Sequence, residues 1–373
     1  MNLRPASPRL RRLLPLAIAT AVGIGAGAGA YALTSNGSGT PTASPVVVPA
    51  QPASSTSTVD SLTELYKKDA PGIVDITVTS SSGSTPAFPF GAPNSSQKQQ
   101  AEGTGFEIDT KGDILTAEHV VDGADSIEVK FQDGSTAKAT LVGSDKSTDT
   151  AVIHVDVSSS KLHPLALGSS ANVQPGESVV AIGSPFGLPE TMTAGIVSAT
   201  SRTITAPNRF SITNAIQTDA AINHGNSGGP LIDVATNTVI GINTQIESDT
   251  NDNSGVGFAV PIDSAKTVAQ TLIAGGTVRH AYLGVTIGSA DGGAKIGCVV
   301  NGGPADSAGL KVGDVITEFE GKAISGADAL TAAVTAASPD EKVTLVARSH
   351  GSTKHFTVTL GTQPSSLSNN CSQ

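Results

Sequence analysis

Short runs in which apolar and polar residues alternate recur along most of this chain, and no other feature constrains its fold as much. Ile73-Val74-Asp75-Ile76-Thr77-Val78 alternates, as do Ser126-Ile127-Glu128-Val129-Lys130-Phe131, Ser178-Val179-Val180-Ala181-Ile182 and Val239-Ile240-Gly241-Ile242. A period of two sends every second side chain to the same face, as a strand with one buried face requires. Gly, Asn, Asp and Pro punctuate the runs, and many short strands between such turns predict a sandwich or barrel. With 41 glycines, no tryptophan and 14% charged residues, the composition agrees with a turn-rich β protein and not with a helical bundle. The 373 residues are enough for two or three domains. Short helices are expected at Leu62–Lys68 and at Ala265–Leu272, the second ended by Gly275-Gly276.

One stretch carries chemistry rather than periodicity: Asp219-Ala220-Ala221-Ile222-Asn223-His224-Gly225-Asn226-Ser227-Gly228-Gly229-Pro230-Leu231. It sets Ser227 in a glycine-rich segment whose amides can crowd a reacting carbonyl. A serine hydroxyl is a weak nucleophile until a base takes its proton and donors hold the charge that forms on the substrate. A candidate base, His119, follows the apolar run Ile114-Leu115-Thr116-Ala117. A candidate acid, Asp149, precedes Thr150-Ala151-Val152-Ile153, with Asp145 as its nearby competitor. The order His, Asp, Ser is that of chymotrypsin-type proteases. The G-x-S-x-G pattern of an α/β-hydrolase needs a helix after the serine and its acid and histidine later in the chain. Here Pro230 and a β-like run follow instead.

Six segments together resemble the bacterial HtrA/Deg serine proteases, in the expected order and over about Leu62 to Gly361. They are Gly103-Thr104-Gly105-Phe106, Leu115 to Val121, Asp149-Thr150-Ala151-Val152, Gly195-Ile196-Val197-Ser198, Gly225 to Pro230, and Gly255 to Pro261. The resemblance implies a mainly β chain, a chymotrypsin-like double six-stranded β-barrel with the triad in the cleft between barrels. Ser227 would be the nucleophile and His119 the base and then the acid. Asp149, chosen over Asp145 because it directly precedes Thr150-Ala151-Val152, would fix the imidazole tautomer. The N–H groups of Gly225 and Ser227 would form the oxyanion hole, with that of Asn226 turned elsewhere. The floor of the primary specificity pocket (S1) falls on Ala221, so cleavage after Lys or Arg is not expected. With Ile222, Ile242, Asn243 and Thr244 it would make an apolar pocket for Val, Ala, Ile or similar residues.

His224 stands where the family usually has proline, either as a residue that tunes activity with pH or as a solvent-facing one without a role. Glu118 replaces a small or amide residue, and no function is read into it. The stretch from Ser80 to Glu102, with Phe88-Pro89-Phe90-Gly91, matches an aromatic loop of subunit contacts and suggests a homotrimer; a plain disordered loop is the alternative. Further on, Tyr282-Leu283-Gly284-Val285, Gly302 to Leu310 and Val312 to Ile316 resemble a PDZ domain of the kind appended to this family. Such domains add a peptide as an extra strand and hold its C-terminal carboxylate in a backbone nest. The nest would be Tyr282, Leu283, Gly284 and Val285, and a helix around Ala327 to Ala336 would form the opposite wall.

The resulting division is a cytoplasmic N-terminus (1–12), a membrane anchor or signal segment (13–33), a Ser/Thr/Pro-rich linker (34–59), the protease domain (60–276), the PDZ domain (280–362) and a disordered tail (363–373). Arg4, Arg9, Arg11 and Arg12 precede the uncharged Leu13–Leu33, which is long enough to span a bilayer. Retention would leave a single-pass membrane protein with its catalytic part outside the cytoplasm. Cleavage at Ala28-Gly29-Ala30 or Ala30-Tyr31-Ala32 would release it. The net charge of −10, with no acidic residue before Asp60, disfavours nucleic acid as a partner. Cys298 and Cys371 are either a disulfide or two unrelated thiols. No metal or cofactor is expected, since the seven histidines are scattered. The expected activity is endoproteolysis of unfolded or damaged exported proteins, with C-terminal peptides at the PDZ groove. The alternative is a PDZ-based binding or chaperone protein with a latent protease site.

Overall fold

The computed structural model describes residues 58–80, 99–184, 191–208, 210–223, 225–244, 255–364 and 371–372. The expected cytoplasmic end, membrane segment and nearly all of the linker lie outside these residues, as do His224 and Phe88-Pro89-Phe90-Gly91. Among the described residues, no helix is long and apolar enough to cross a membrane.

Helix α1 (Thr58–Asp69) starts within the expected linker and leads through a short 3-10 turn into β1 (Ile73–Ser80). β2 (Gln99–Glu107) and β3 (Asp113–Thr116) follow, then the single helical turn α2 (Glu118–Val121). β4 (Ser126–Lys130), β5 (Thr136–Asp145) and β6 (Thr150–Val155) close a barrel in the order β1-β2-β3-β6-β5-β4. The expected loop from Ser80 to Glu102 is shorter than its sequence implies, because Gln99–Glu102 pairs with Thr77–Ser80.

The second barrel contains β7 (Ser178–Gly183), β8 (Thr191–Thr205), β9 (Ser211–Thr218), β10 (Pro230–Asp233), β11 (Thr238–Thr244) and β12 (Gly257–Pro261). It closes in the order β10-β11-β12-β9-β8-β7, and every named strand pair in both barrels is antiparallel. Helix α3 (Ile262–Ile273) then buries Ile262, Ala265, Val268, Ala269 and Leu272, a three-and-four spacing that makes one apolar face. Gly275, with φ of 73°, ends it in the left-handed conformation that glycine adopts freely.

Ile76, Ile114, Val129 and Ile153 fill the first barrel. A second cluster joins the barrels: Phe106, Leu115 and Val152 from the first meet Ile182, Ile232 and Ile242 from the second, sealed by α3. Each such buried side chain contributes about 1.5–3 kcal/mol. The two barrels therefore share one apolar core.

Glu107, at the end of β2, is wholly buried. Burial pushes its pKa up to about 7, against a hydrogen bond from the His163 N–H that favours the charged form. A carboxyl whose pKa rises on folding contributes stability below its unfolded pKa of 4.5 and loses it as pH rises through about 7. Glu107→Gln should therefore flatten the fall in stability between pH 5 and 8 and stabilise the protein at pH 8 by roughly 3 kcal/mol. Urea unfolding at the two pH values would measure it. An unchanged pH slope would show that Glu107 is not its source.

The C-terminal unit begins with β13 (Ala281–Tyr282), β14 (Val285–Ala290) and β15 (Gly293–Val300). α4 (Pro304–Ser307), β16 (Val315–Phe319), β17 (Lys322–Ala323) and α5 (Ala327–Thr335) follow, then β18 (Lys342–Ser349) and β19 (Ser352–Thr359). The sheet runs β14-β15-β16-β18-β19, with β17 on β16, around Ile296, Ile316, Leu330 and Leu345. β20 (Gly361–Thr362) pairs with β13, and β21 (Cys371–Ser372) pairs with β15. The expected disordered tail is thus corrected at its far end, where Cys371 is bonded to Cys298. A bridge across 73 residues stabilises by roughly 4 kcal/mol in the chain-entropy view.

Candidate active site

β3 ends at Thr116, and α2 brings His119 up within its first turn. The next link is Asp149, just before β6, which adopts φ of 50°. That left-handed conformation is uncommon for a residue with a side chain, though Asp tolerates it better than most. The Asp149 carboxylate is wholly buried and lies 2.9 Å from His119 Nδ1 through each oxygen. It also accepts the His119 backbone N–H at 3.0 Å and the Thr244 hydroxyl at 2.7 Å. These donors hold the carboxylate against Nδ1 of the imidazole and leave Nε2 as the working nitrogen. Burial opposes a charged imidazolium, but the Asp149 charge, its hydrogen bond and Glu118 outweigh burial and raise the His119 pKa.

The competitor acid is engaged elsewhere. Asp145 accepts the Thr148 hydroxyl at 2.5 Å, and its Oδ2 lies 2.8 Å from Nε2 of His280, just ahead of β13.

Ser227 sits in the tight turn before β10 and is 5% exposed. Its carbonyl accepts the Thr104 N–H at 2.9 Å, while the Gly228 N–H donates to Asn243 at 2.8 Å and the Asn243 N–H returns to Gly229 at 2.8 Å. Gly228 has φ of 86°, and a Cβ there would lie 2.2 Å from the Thr104 carbonyl oxygen. Only glycine fits that position without backbone movement. Thr104 also donates its hydroxyl to the Gly225 carbonyl at 2.6 Å, while accepting the Ser184 N–H at 3.0 Å. The Asn226 N–H is used by the Asn223 carbonyl at 3.0 Å. Among the described residues, neither the Gly225 nor the Ser227 N–H donates a hydrogen bond. Two unused amides beside a serine can hold an oxyanion. Among the same residues, no hydrogen bond joins the Ser227 hydroxyl to His119.

The expected specificity pocket is only partly borne by its residues. Ile222 faces Gly257, where a Cβ would come within 2.5 Å of its Cγ1, and Ala221 is half-buried nearby. The Ala221 carbonyl accepts from Thr193 Oγ1 at 3.0 Å and Asn226 Nδ2 at 3.1 Å. Ile242, Asn243 and Thr244 are a correction. Ile242 is wholly buried in the core between the barrels, Asn243 donates its amide to the Pro230 carbonyl at 3.0 Å, and Thr244 is turned to Asp149. Thr104 lies inside a quoted motif but carried no expected role in the serine turn, and Thr244 was expected at the pocket and not on the Asp149 carboxylate.

In the C-terminal unit, Tyr282 and Val285 end β13 and begin β14, and Leu283 and Gly284 form the turn between them. Gly284 has φ of 79°. The Leu283 and Gly284 carbonyls accept the Ala305 and Val300 N–H groups at 3.0 and 2.9 Å. With the carbonyls held behind, and no backbone acceptor for the Leu283 and Gly284 N–H groups among the described residues, the turn can receive a carboxylate. Helix α5 packs against β14 as the facing wall, and also against β8 and β9.

Comparison with known proteins agrees with this geometry. Residues 103–242 match the trypsin-like peptidase domain and residues 281–360 the PDZ domain. The chain is 42% identical over 291 residues to a "Probable periplasmic serine endoprotease DegP-like" of Halomonas elongata, covering 75% of this chain and 60% of that protein. It is 37% identical over 334 residues to the protein of the same description in Hahella chejuensis, covering 81% and 70%. The chain thus spans about three fifths of the length of the first of these relatives. The solved structure "HtrA-type protease AlgW with decapeptide" superposes with a TM-score of 0.65 at 34% identity, over 81% of this chain and 98% of that one. Two barrels that carry a histidine–aspartate pair and a serine turn, a PDZ unit following them in the chain and relatives at this level lead to one conclusion: the chain belongs to the HtrA family of trypsin-like proteases that carry a PDZ domain.

Proposed function

We propose that this protein is a serine endopeptidase that hydrolyses unfolded or damaged proteins outside the cytoplasm, as part of protein quality control. The observation that carries the reading is the wholly buried Asp149 carboxylate, held by His119 and Thr244, beside a serine turn with two unused amides. Ser227 Oγ attacks the scissile carbonyl while His119 Nε2 takes its proton, and the Gly225 and Ser227 N–H groups hold the oxyanion. His119 then protonates the leaving amine, and water resolves the acyl-enzyme by the same route. Asp149 keeps the imidazole in the tautomer this needs. His119 must be neutral to act, and its pKa is raised, so activity falls on the acid side through a value above the ordinary histidine pKa.

Ala221 and Ile222 place no charge at the pocket, which supports small to medium aliphatic residues at the cleaved position. The domains are taken as 60–276 and 280–362, with α1 beginning slightly earlier at Thr58 and Cys371 fastened to the second unit by its bond to Cys298. Tyr282, Leu283, Gly284 and Val285 would bind C-terminal peptides. Attachment through residues 13–33, with the catalytic part extracytoplasmic, and a homotrimer complete the reading; periplasmic relatives support the extracytoplasmic site. A second reading is a PDZ-based binding or chaperone protein with a latent protease site; among the described residues no hydrogen bond joins Ser227 to His119, a contact that commonly tightens only when substrate binds.

Mapping by mass spectrometry of the cuts made in an unfolded protein decides between the two. The enzyme should cut mainly after Val, Ala and Ile. Cuts after Lys or Arg would overturn the pocket, and no cuts with or without a PDZ-binding peptide would favour the binding protein.

A further inference from the structure

Glu118, directly before His119, is 1% exposed. Its neighbours Ala117, Val120 and Val121 are buried and apolar, and a carboxylate in such a place is costly unless it is partnered. The partner comes from the other barrel. Asn208, in the turn between β8 and β9, donates Nδ2 to Glu118 Oε2 at 3.0 Å and to the Lys146 carbonyl at 2.9 Å. Asn208 Oδ1 accepts the Phe210 N–H at 3.1 Å, which fixes the amide's orientation. Lys146 Nζ lies 3.7 Å from Glu118 Oε1 and 2.9 Å from Asp122. Burial raises the Glu118 pKa, Asn208 lowers it, and Asp122, Lys146 and Asp149 are the charges that face it.

One amide of the second barrel therefore grips the first barrel in two places: one residue before His119 and three residues before Asp149. The candidate triad is split between the barrels, so their registration sets the distance from imidazole to Ser227. We propose that Glu118 is a positioning residue: through Asn208 it clamps the β8–β9 turn onto the segments that carry His119 and Asp149, and so holds that pair in line with the serine. This rests on the triad reading above.

The test is steady-state hydrolysis of a peptide substrate by the full-length chain, with rates expressed per active site titrated so that misfolded protein does not count. Glu118→Ala and Asn208→Ala should each lower kcat about tenfold with KM little changed, since misplacement of catalytic groups by an ångström costs up to about a hundredfold. The double variant should be no slower than the slower single one, because the clamp breaks only once. Glu118→Gln keeps an oxygen for Asn208 and should regain most of kcat. Undiminished kcat in both single variants, losses that multiply in the double, or a Glu118→Gln enzyme as slow as Glu118→Ala would each overturn the proposal. Activity surviving in Ser227→Ala counts against the triad itself, whereas a dead Ser227→Ala beside undiminished Glu118→Ala and Asn208→Ala counts against the clamp alone.

Discussion

Ser227→Ala is expected to lower kcat by about five to six orders of magnitude, with KM and the unfolding transition close to those of the parent. The hydroxyl is the bond-forming atom in the proposed reaction, and nothing nearby replaces it. Its removal leaves the fold alone, because the turn is held by backbone groups: Thr104 to Ser227, Gly228 to Asn243 and Asn243 to Gly229. The two amides at Gly225 and Ser227 remain, so a residual rate above that in water is expected from them and from binding. Peptide hydrolysis, with urea unfolding of both proteins, measures the two halves of this statement. A variant that has lost both activity and stability would mean that Ser227 is structural.

Asp149→Asn is expected to cost about four orders of magnitude in kcat. The carboxylate accepts from His119 Nδ1, from the His119 backbone and from Thr244, and it has no other partner among the described residues. An asparagine presents an NH₂ to that set. It donates to Nδ1, which moves the imidazole proton to Nε2, and Nε2 can then no longer take the serine proton. The mismatched donors also cost roughly 1–3 kcal/mol of stability. The Asp149 charge and hydrogen bond are the main effects that raise the His119 pKa against burial. Without them the acid limb of kcat/KM should move to lower pH. Stopped-assay profiles of the two enzymes would show this, and an unmoved limb would separate Asp149 from His119.

The elements most visible in the sequence are those in which local pattern and tertiary burial agree. The alternation from Ile73 to Val78 became β1, and the apolar spacing of Ala265 to Leu272 became most of α3. β8 was not visible: Thr191–Thr205 is rich in Thr, Ser and Ala, has no sustained alternation, and shifts register against β9 at three points. Bulges of this kind break the period of two on which a strand is recognised. His119, Asp149 and Ser227 stood out because nucleophile, base and acid must be particular residue types in recognisable surroundings. The surroundings of Thr104, Thr244 and Glu118 were not legible, since the partner of each lies far away in the chain: Gly225, Asp149 and Asn208. The misplacement of Ile242, Asn243 and Thr244 has the same origin. Adjacency in sequence to a pocket says nothing about which way a strand turns each side chain, and here they serve the core, the serine turn and the acid.

The most direct test of the whole account is covalent. A peptidyl phosphonate with valine at the reacting position would be added to protein that is cleaving an unfolded substrate, and the adduct located by mass spectrometry. The account predicts one adduct per chain, on Ser227, with cleavage lost in step with labelling and no adduct in His119→Ala. An adduct on another residue, or cleavage that continues with Ser227 fully labelled, would contradict it.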